Sequence, residues 1–571
     1  MKKFLLGVAV GLVLAGMSVL ILIFALARLG DRRPAVADGS TLLYRLEGPV
    51  PEQPPVEIPL PFWESQSPLT VRDNWELLRR AAEDKRIKAL VLAPEGVGAG
   101  WAKLEELRSG VLEFRKSGKP VIAWLRNPRT REYYLATAAD RIYMAPEDVL
   151  DVKGLRAELT FFRKTMDKLG VQMEVERIGK YKDAADMFTR GSASEETREV
   201  LNSVLDQLFG RLVTVVGASR KRSPEQVRAL IDQGPFLAPQ AKSGGLVDDL
   251  LYEDQVFDEL KKRLNQKELK KISQRDYLRA SGPAGDKIRR VAYVVGQGSI
   301  LRGRAEGLGS DDLIASESFI KLLRQVGADA GIKGVVVRVD SPGGDAIASD
   351  DILREMKLLS RKKPLVISMS DVAASGGYYI AMTGDPIVAY PDTITGSIGV
   401  IFGKMNLRGL YDKIGVQKEI LKRGQFADVD SDYQPLTDAG RKKLRESIGS
   451  IYQGFLARVA EARKRKPEEI DALGQGRVWM GQQAKQHGLV DELGGLDRAV
   501  ELLRAKARIP REERIRLVPY PPKRSLLELL LTRSAESALD ARLRAFLRDF
   551  DLRLWARGGL MRVMPYTIVV E

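Results

Sequence analysis

The amino-acid sequence predicts an α/β protein in which one domain occurs twice behind a single transmembrane helix. Residues 88–98 match residues 333–343 at a spacing of 245, and the tyrosine pairs at 133–134 and 378–379 keep that spacing. Apolar, β-branched runs such as 334–339 alternate with helical stretches and glycine turns. This alternation is typical of a mainly parallel sheet flanked by helices.

The N-terminal segment predicts a membrane anchor. Lys2 and Lys3 precede an uncharged run at 4–27, which is long enough to cross a hydrocarbon core of about 30 Å. A cleavable signal peptide usually has a shorter apolar region of about 7–15 residues. We therefore predict that residues 1–30 form a retained single-pass anchor. Positive charges on its two sides are nearly balanced, so the positive-inside rule does not orient it.

The repeat and the polar stretches divide the rest of the chain. We expect the first copy at 41–260, a polar and basic linker at 261–290, the second copy at 291–510 and a basic C-terminal extension at 511–571. Within the extension, apolar side chains recur on one helical face, at Leu543, Phe546, Leu547, Phe550 and Leu554. Such a helix packs on its own domain or on a neighbouring subunit, or else lies on a membrane surface.

The composition excludes several kinds of chemistry. Among 571 residues there is no cysteine and one histidine, His487, which stands far from any glycine-rich turn. A cysteine nucleophile and thiolate metal sites are therefore impossible, and a Ser-His-Asp triad is unsupported. Lysine is the main remaining general base, and we expect no metal and no cofactor. The net charge is +16, but the lysines and arginines are spread along the chain and interleaved with acidic residues. Nucleic acid is therefore not an expected partner.

The second copy supplies a candidate nucleophile. Ser375 follows the apolar run at 365–368 and is flanked by small residues, which suits a hydroxyl exposed at a strand-to-helix turn. The N–H of Gly376 is a candidate donor to an oxyanion. Gly343 and Gly344 close a neighbouring strand, and their amides are candidates for the other side of the same oxyanion hole.

The first copy supplies a candidate base. At the spacing of 245, Lys182 corresponds to an alanine and Ser375 to a threonine, so each copy keeps one half of a possible Ser-Lys pair. This predicts one composite site between the copies. A lysine that acts as a base near neutral pH needs a pKa about 3 units below its usual value of about 10.4, and an apolar interface lowers it. Lys180 is a competing candidate base, and Ser397 is a candidate acceptor that orients the lysine.

The combined motifs resemble those of the signal peptide peptidase A family, in its long two-copy bacterial form. They are Ser-Pro-Gly-Gly at 341–344, Ala-Ala-Ser-Gly-Gly-Tyr at 373–378, Thr-Gly-Ser-Ile-Gly at 395–399 and Gly-Lys-Tyr-Lys at 179–182. The resemblance covers residues 41–500 and leaves the C-terminal extension outside it.

The resemblance implies a Clp protease/crotonase-like fold in each copy and a serine endopeptidase with a Ser/Lys dyad. Ser375 would be the nucleophile, Lys182 the general base and Ser397 the residue that orients the lysine. The substrates would be signal peptides left in the membrane after cleavage, and other apolar peptides. The enzyme would be anchored in the bacterial inner membrane with its catalytic domains in the periplasm, as a homotetramer.

Three alternative functions remain open from the sequence. An acyl-CoA hydratase or isomerase could use the same crotonase-like fold, with glycine-turn amides as an oxyanion hole. The glycines at 96–100 partly match a dinucleotide-binding fingerprint, but Trp101 stands where its third glycine belongs. A membrane scaffold that has lost catalysis is the non-enzymatic alternative.

Overall fold

The computed structural model describes residues 34–54, 67–280, 288–304, 313–521 and 559–564, with three isolated positions near the N-terminus. The predicted transmembrane anchor and the predicted amphipathic helix around 543–554 lie outside the described residues.

The first repeat alternates strands and helices along the chain. Its elements are β1 (Ser40–Pro49), α1 (Val71–Glu83), β2 (Ile87–Gly98), α2 (Trp101–Arg115), β3 (Val121–Leu125), α3 (Thr130–Ala136), β4 (Arg141–Met144), β5 (Val149–Leu150), α4 (Arg163–Leu169), β6 (Gln172–Ile178), α5 (Asp186–Thr189), α6 (Glu195–Arg220), α7 (Pro224–Ile231), β7 (Phe236–Leu237), α8 (Ala238–Ser243), β8 (Asp249–Leu250), α9 (Glu253–Arg263), β9 (Lys271–Ser273) and α10 (Gln274–Ala280).

The second repeat follows a similar order and has more strands, of which the last two lie in the predicted C-terminal extension. Its elements are β10 (Ile288–Gln297), β11 (Ser299–Leu301), β12 (Leu313–Ala315), α11 (Ser316–Ala328), β13 (Ile332–Ser341), β14 (Gly343–Asp345), α12 (Ala346–Lys362), β15 (Leu365–Ala374), α13 (Gly376–Ile380), β16 (Ile387–Ala389), β17 (Ile394–Gly396), β18 (Val400–Asn406), α14 (Arg408–Lys413), α15 (Asp438–Arg463), α16 (Pro467–Leu473), β19 (Val478–Met480), α17 (Gly481–Gln486), β20 (Glu492–Leu493), α18 (Leu496–Lys506), β21 (Arg514–Tyr520) and β22 (Gly559–Val563).

The two repeats build equivalent, mainly parallel sheets. The first sheet has the order β8-β4-β3-β2-β1-β9, and all its pairings are parallel. In the second, β20-β16-β15-β13-β10-β21 run parallel in the same order, while β17 and β19 extend from β15. The predicted mixed α/β architecture with a tandem duplication is therefore confirmed.

The structure corrects two predicted boundaries. The linker was predicted at 261–290, but β9 lies within it and pairs in parallel with β1 at the edge of the first sheet. The extension was predicted to begin at 511, but β21 pairs in parallel with β10 at the equivalent edge. In β21 the charged side chains of Arg514 and Arg516 alternate with buried residues. Such half-solvated edge strands lack the continuous apolar run that marked the other strands.

A third sheet joins the two repeats. β6 of the first repeat pairs antiparallel with β18 of the second over their whole lengths. At the spacing of 245, β6 corresponds to 417–423 and β18 to 155–161, and neither segment forms a strand element. Each repeat thus contributes the strand that the other lacks. The sheet continues through β22, β14, β11 and β12.

The apolar core also crosses the repeat boundary. One cluster of buried side chains fills the first repeat and continues to Val336 and Val366 on one face of the second sheet. The other face of that sheet, with Val335 and Ile367, packs on its own helices. Because the repeats share a core, residues from both can be held rigidly at their junction.

Among the residues that the structure describes, one helix, α6, has the length and composition of a membrane span. Half of the most apolar stretch of this helix is buried inside the protein. Leu208 and Leu212 of the helix belong to the core of the first repeat. Its counterpart α15 has the same length of 26 residues, and serine or threonine caps both helices. We therefore assign α6 to the core of the first repeat.

Candidate active site

Ser375 stands in a strained turn between β15 and α13. Its backbone has φ 53° and ψ −113°, a conformation that residues other than glycine rarely adopt. The surroundings hold it there, because its N–H donates to the carbonyl of Gly396 (2.8 Å) and its carbonyl accepts from the N–H of Tyr379 (2.8 Å). The small residues on either side let the turn pack tightly. As predicted, the serine lies at the carboxyl end of a central strand.

Lys182 reaches Ser375 from the other repeat. The Nζ atom lies 2.7 Å from Oγ of Ser375, and both side chains are fully buried. The same Nζ lies 2.9 Å from Oγ and 3.0 Å from the carbonyl oxygen of Ser397. All three acceptors are neutral oxygens. The structure thus brings together the three side chains that the sequence had singled out.

Glycines of the second repeat make room for the lysine. Gly476 has φ 81°, and a Cβ placed on it would lie 2.6 Å from the backbone nitrogen of Lys182 and 2.7 Å from its Cβ. A Cβ on Gly399 would lie 3.0 Å from Cδ of the same lysine. The N–H of Tyr181 donates to the carbonyl of Gln475 (2.9 Å), which fixes the lysine loop against the second repeat. Gly399 ends the Thr-Gly-Ser-Ile-Gly motif, whereas nothing in the sequence marks Gly476.

The predicted oxyanion glycines lie at the carboxyl end of β13 and at the start of α13. Gly343 and Gly344 form β14 with φ of 100° and 155°, conformations that favour glycine. The N–H of Gly343 donates to Oγ of Ser341 (3.1 Å), so that amide serves an internal bond here. Gly376 is the first residue of α13, directly after the serine.

A strand from the C-terminal extension, β22, lies beside the serine in the space between β14 and β18, which we call the groove. β22 runs antiparallel between β14 and β18, and it contacts α13. The N–H of Met564 donates to the carbonyl of Pro342 (2.7 Å). Met561 and Val563 are buried in an apolar cluster whose other buried members are Ala184, Ala185, Phe188, Leu301 and Ile401. The groove therefore accepts an extended backbone and buries alternate side chains in an apolar surface.

Comparisons with known proteins identify the family. The model for peptidase family S49 matches the chain twice, at residues 113–267 and 357–509. The chain belongs to peptidase family S49. It is a serine protease with two S49 domains, and the resemblance drawn from the four motifs is confirmed.

Named S49 relatives match most of this chain. The chloroplastic serine protease SPPA of Arabidopsis thaliana is 35% identical over 503 residues, which cover 87% of this chain and 73% of the relative. Protease 4 of Salmonella typhi is 35% identical, with coverage of 74% and 70%. Protease 4 of Haemophilus influenzae is 32% identical, with coverage of 74% and 71%. A solved structure of a ClpP1 mutant from Listeria monocytogenes is 15% identical to this chain, with a TM-score of 0.24. The match covers 37% of this chain and 94% of the ClpP1 chain. At that TM-score it supports no statement about the fold.

The competing base and the dinucleotide site do not fit this S49 peptidase. Lys180 is exposed, and its Nζ lies 4.6 Å from the centre of the Tyr181 ring. The N-terminus of α2 is occupied, because the Asp371 carboxylate accepts from the N–H groups of Gly100 (3.1 Å) and Lys103 (2.9 Å). A protein carboxylate thus fills the place where a dinucleotide phosphate would bind.

The buried ionic network around Arg338 of β13 was not predicted from the sequence. Arg338, on β13, is fully buried and pairs with Glu52 (3.0 Å) and Glu106 (2.7 Å) of the first repeat. It also donates to Oγ of Ser368 (2.9 Å). The signal was present, since Arg338 is a lone charge within the apolar run at 334–339. A buried charge of this kind requires a partner, and here the partner comes from the other repeat.

Proposed function

We propose that this S49 peptidase is an endopeptidase that uses a Ser/Lys dyad to cleave apolar peptides, including signal peptides left in the bacterial inner membrane after cleavage. The observation that carries the proposal is the 2.7 Å separation of Nζ of Lys182 from Oγ of Ser375, between side chains supplied by different repeats. That distance is within hydrogen-bond reach of a base and its nucleophile.

The contacts of the lysine suit a neutral amine. A neutral amine has two N–H bonds and one lone pair. The two N–H bonds can be directed to Oγ and to the carbonyl oxygen of Ser397, at 2.9 and 3.0 Å. The lone pair then faces the hydroxyl of Ser375. Ser397 would in this way orient Lys182, and the hydrogen bond from its own N–H to the carbonyl of Arg477 (2.7 Å) holds its backbone in place.

The reaction would proceed by acyl transfer. Lys182 takes the proton of Ser375 as Oγ attacks the scissile carbonyl carbon, and it returns that proton to the leaving amine. A water molecule, activated by the same lysine, then hydrolyses the acyl-enzyme ester. The N–H of Gly376, with an amide of Gly343 or Gly344 that turns into the groove when substrate binds, would stabilise the oxyanion.

The groove supports a preference for apolar, extended peptides. β22 lies there as a strand, and its side chains Met561 and Val563 contact Ala184 and Ala185, which follow the base, together with Ile401. A substrate that added a strand to β14 would obtain backbone hydrogen bonds from the sheet edge and bury every second side chain. Peptides derived from membrane-spanning segments have the required apolar side chains.

The membrane and assembly proposals rest on other features. The uncharged run at 4–27 supports a single-pass anchor with the catalytic domains on the periplasmic side. A segment of the second repeat exposes large apolar side chains, with Ile414 63% and Leu421 85% exposed. Such a patch favours contact with further copies in a homotetramer. Light scattering of the detergent-solubilised protein and of Leu421→Asp should show a tetramer and a smaller species, respectively.

Peptide hydrolysis by the full-length protein in detergent tests the dyad. The substrate is a fluorogenic apolar peptide, and the variants are Lys182→Ala, Ser375→Ala and Lys180→Ala. We expect kcat to fall by a factor of about 10³ or more in the first two. Lys180→Ala, a matched change two residues away at an exposed position, should retain activity.

A serine-reactive phosphonate separates the remaining possibilities. The wild type should be labelled at Ser375, and Ser375→Ala should not. Activity that survives Lys182→Ala would reject the dyad, and a wild type that neither cleaves nor is labelled would favour the scaffold alternative. Cleavage of a labelled signal peptide embedded in vesicles, with no cleavage of a polar peptide of equal length, tests the substrate class.

A further inference from the structure

The first repeat contains a cavity at the place that corresponds to the active site of the second. Its volume is about 540 Å³, and Gly98, Thr130 and Arg131 are among the residues that line it. At the spacing of 245, these three correspond to Gly343, Ser375 and Gly376. The cavity is thus the first repeat's version of the substrate groove.

Matching contacts confirm that equivalence in three dimensions. A parallel bridge joins Arg129 to Asp151, as β15 and β17 pair through Ala374 and Gly396 at the same spacing. In each repeat the tyrosine three residues after the serine or threonine donates from its hydroxyl to a leucine carbonyl at 2.8 Å. The strand-to-helix turn that carries Ser375 in the second repeat is therefore built in the same way in the first, although the first repeat has no strand where the second has β18.

The cavity has lost the groups that would cleave a peptide. Thr130 replaces the serine and has no left-handed φ, and no lysine corresponds to Lys182. Glu132 replaces Gly377, and its carboxylate accepts from the N–H groups of Val97 (2.8 Å) and Arg129 (3.0 Å). A carboxylate of the protein therefore already binds the backbone amides at this strand end. The cavity can bind a ligand but lacks the serine and lysine pair that would attack it.

Cationic side chains replace the small and apolar ones of the active groove. Arg129, Arg131, Lys153 and Arg156 line the cavity. Their counterparts in the second repeat are alanine, glycine and two isoleucines. Acidic residues offset part of this charge, because Asp151 pairs with Lys153 (2.8 Å) and Glu158 pairs with Arg156 (3.5 Å). Glu132 accepts from backbone amides, and the four cations of the lining still outnumber its two carboxylates.

We infer that this cavity is a second, non-hydrolytic peptide site that binds a peptide carboxylate. The cavity lies beside the turn that corresponds to the one carrying Ser375 in the second repeat, and its cations supply charge-assisted hydrogen bonds to a carboxylate. The carboxylate could be the C-terminus of a peptide or an aspartate or glutamate side chain. The inference does not rest on the proposed dyad, since no residue of the dyad lines the cavity.

Binding of defined peptides to full-length Ser375→Ala protein in detergent tests the inference. The probes are a fluorescein-labelled apolar octapeptide with a free C-terminus, the same peptide as its amide, and the amide with one internal glutamate. Anisotropy should give a Kd for the free acid about tenfold lower than that for the amide, which corresponds to one charge-assisted hydrogen bond. Tight binding of the glutamate amide would identify side-chain carboxylates as a second source. Mass spectrometry should show that the bound peptide stays intact. Cleavage of the peptide by Ser375→Ala would contradict the proposed dyad, and it is detected independently of the binding measurement.

Charge-neutralising variants locate the site. In the Ser375→Ala background, Arg129→Gln/Arg131→Gln and, independently, Lys153→Gln/Arg156→Gln should abolish the preference for the acid. Lys85→Gln/Lys88→Gln removes the same charge from exposed positions outside the cavity and should leave the preference unchanged. Equal affinity for acid and amide, or a preference that survives in both cavity variants, would overturn the inference.

Discussion

Lys103 of the first repeat forms a largely buried ion pair with Asp340 of the second, with 2.7 Å between Nζ and Oδ2. The same Nζ lies 3.5 Å from Asp371. Asp340 is the penultimate residue of β13, close to the glycines of β14. Its other oxygen accepts from the N–H of Val372 (3.1 Å), which is three residues before Ser375. One lysine thus connects the strand that leads to the oxyanion glycines with the strand that carries the nucleophile.

Lys103→Met should impair both stability and turnover. Burial alone would lower the pKa of Lys103, but the charges of Asp340 and Asp371 outweigh it and raise that pKa, so the amine stays charged. Removing it leaves the largely buried Asp340 carboxylate without its ion-pair partner, which should lower the free energy of unfolding by about 3 kcal/mol. Displacement of the two strands should lower kcat by about 10- to 100-fold with little change in KM. Denaturant titration and steady-state kinetics measure the two effects.

Lys119→Met is the matched control for that prediction. Its half-buried amine donates to the carbonyls of Ala81, Ala82 and Asp84 within the first repeat. It should cost stability while leaving kcat unchanged. Equal losses of kcat in both variants would show that Lys103 affects turnover only through the general stability of the protein. Lys103→Arg, which keeps the positive charge, should retain most of the turnover.

The sequence located the serine and the lysine because comparison of the two repeats showed which half of the pair each had kept. It could not show how the halves meet. β6 and β18 pair across the junction, but the segments that correspond to them at the spacing of 245 form no strand, so comparison of the repeats gave no sign of this pairing. Ser397 was found through its local motif, whereas Gly476 acts only through a contact with a distant segment that no local pattern records.

Gly476→Ala should reduce turnover without touching the peptide groove. The added Cβ would meet backbone and Cβ atoms of Lys182 at 2.6–2.8 Å, and an alanine at φ 81° is strained. The lysine must shift away from Ser375, and a displacement of about 1 Å costs about 100-fold in kcat. Gly384→Ala imposes similar strain, at φ 88°, where nothing lies within 4 Å of the new Cβ, and should retain kcat. Parallel kinetics of the two alanine variants distinguish misplacement of the lysine from strain alone.

Removal of residues 559–571 should increase the activity toward short peptides. β22 occupies the groove between β14 and β18 and places Met561 and Val563 in its apolar cluster. A substrate strand must displace it, so its removal should lower KM by roughly tenfold at unchanged kcat. Met561→Asp/Val563→Asp should act in the same direction, because burying the new charges is unfavourable. An unchanged or higher KM in both proteins would show that β22 does not compete with substrate.

Asp183, next to the proposed base, should make the protein less stable as the pH rises through the weakly acidic range. Burial raises the pKa of Asp183 to about 6, although a hydrogen bond from Thr197 opposes the shift. Below the unfolded-state pKa of about 3.9 the group is protonated in both states and has no effect. Between there and about pH 6 the unfolded chain loses the proton more readily, so the free energy of unfolding falls by up to about 3 kcal/mol.

In the Ser375→Ala background, the free energy of unfolding of Asp183→Asn should exceed that of its parent by this amount at pH 7 and match it near pH 4. Asp206→Asn, at an exposed position of α6, should show no such difference across the same pH series of denaturant titrations. A gap between Asp183→Asn and its parent that does not grow with pH would rule out ionisation of this carboxyl as its cause.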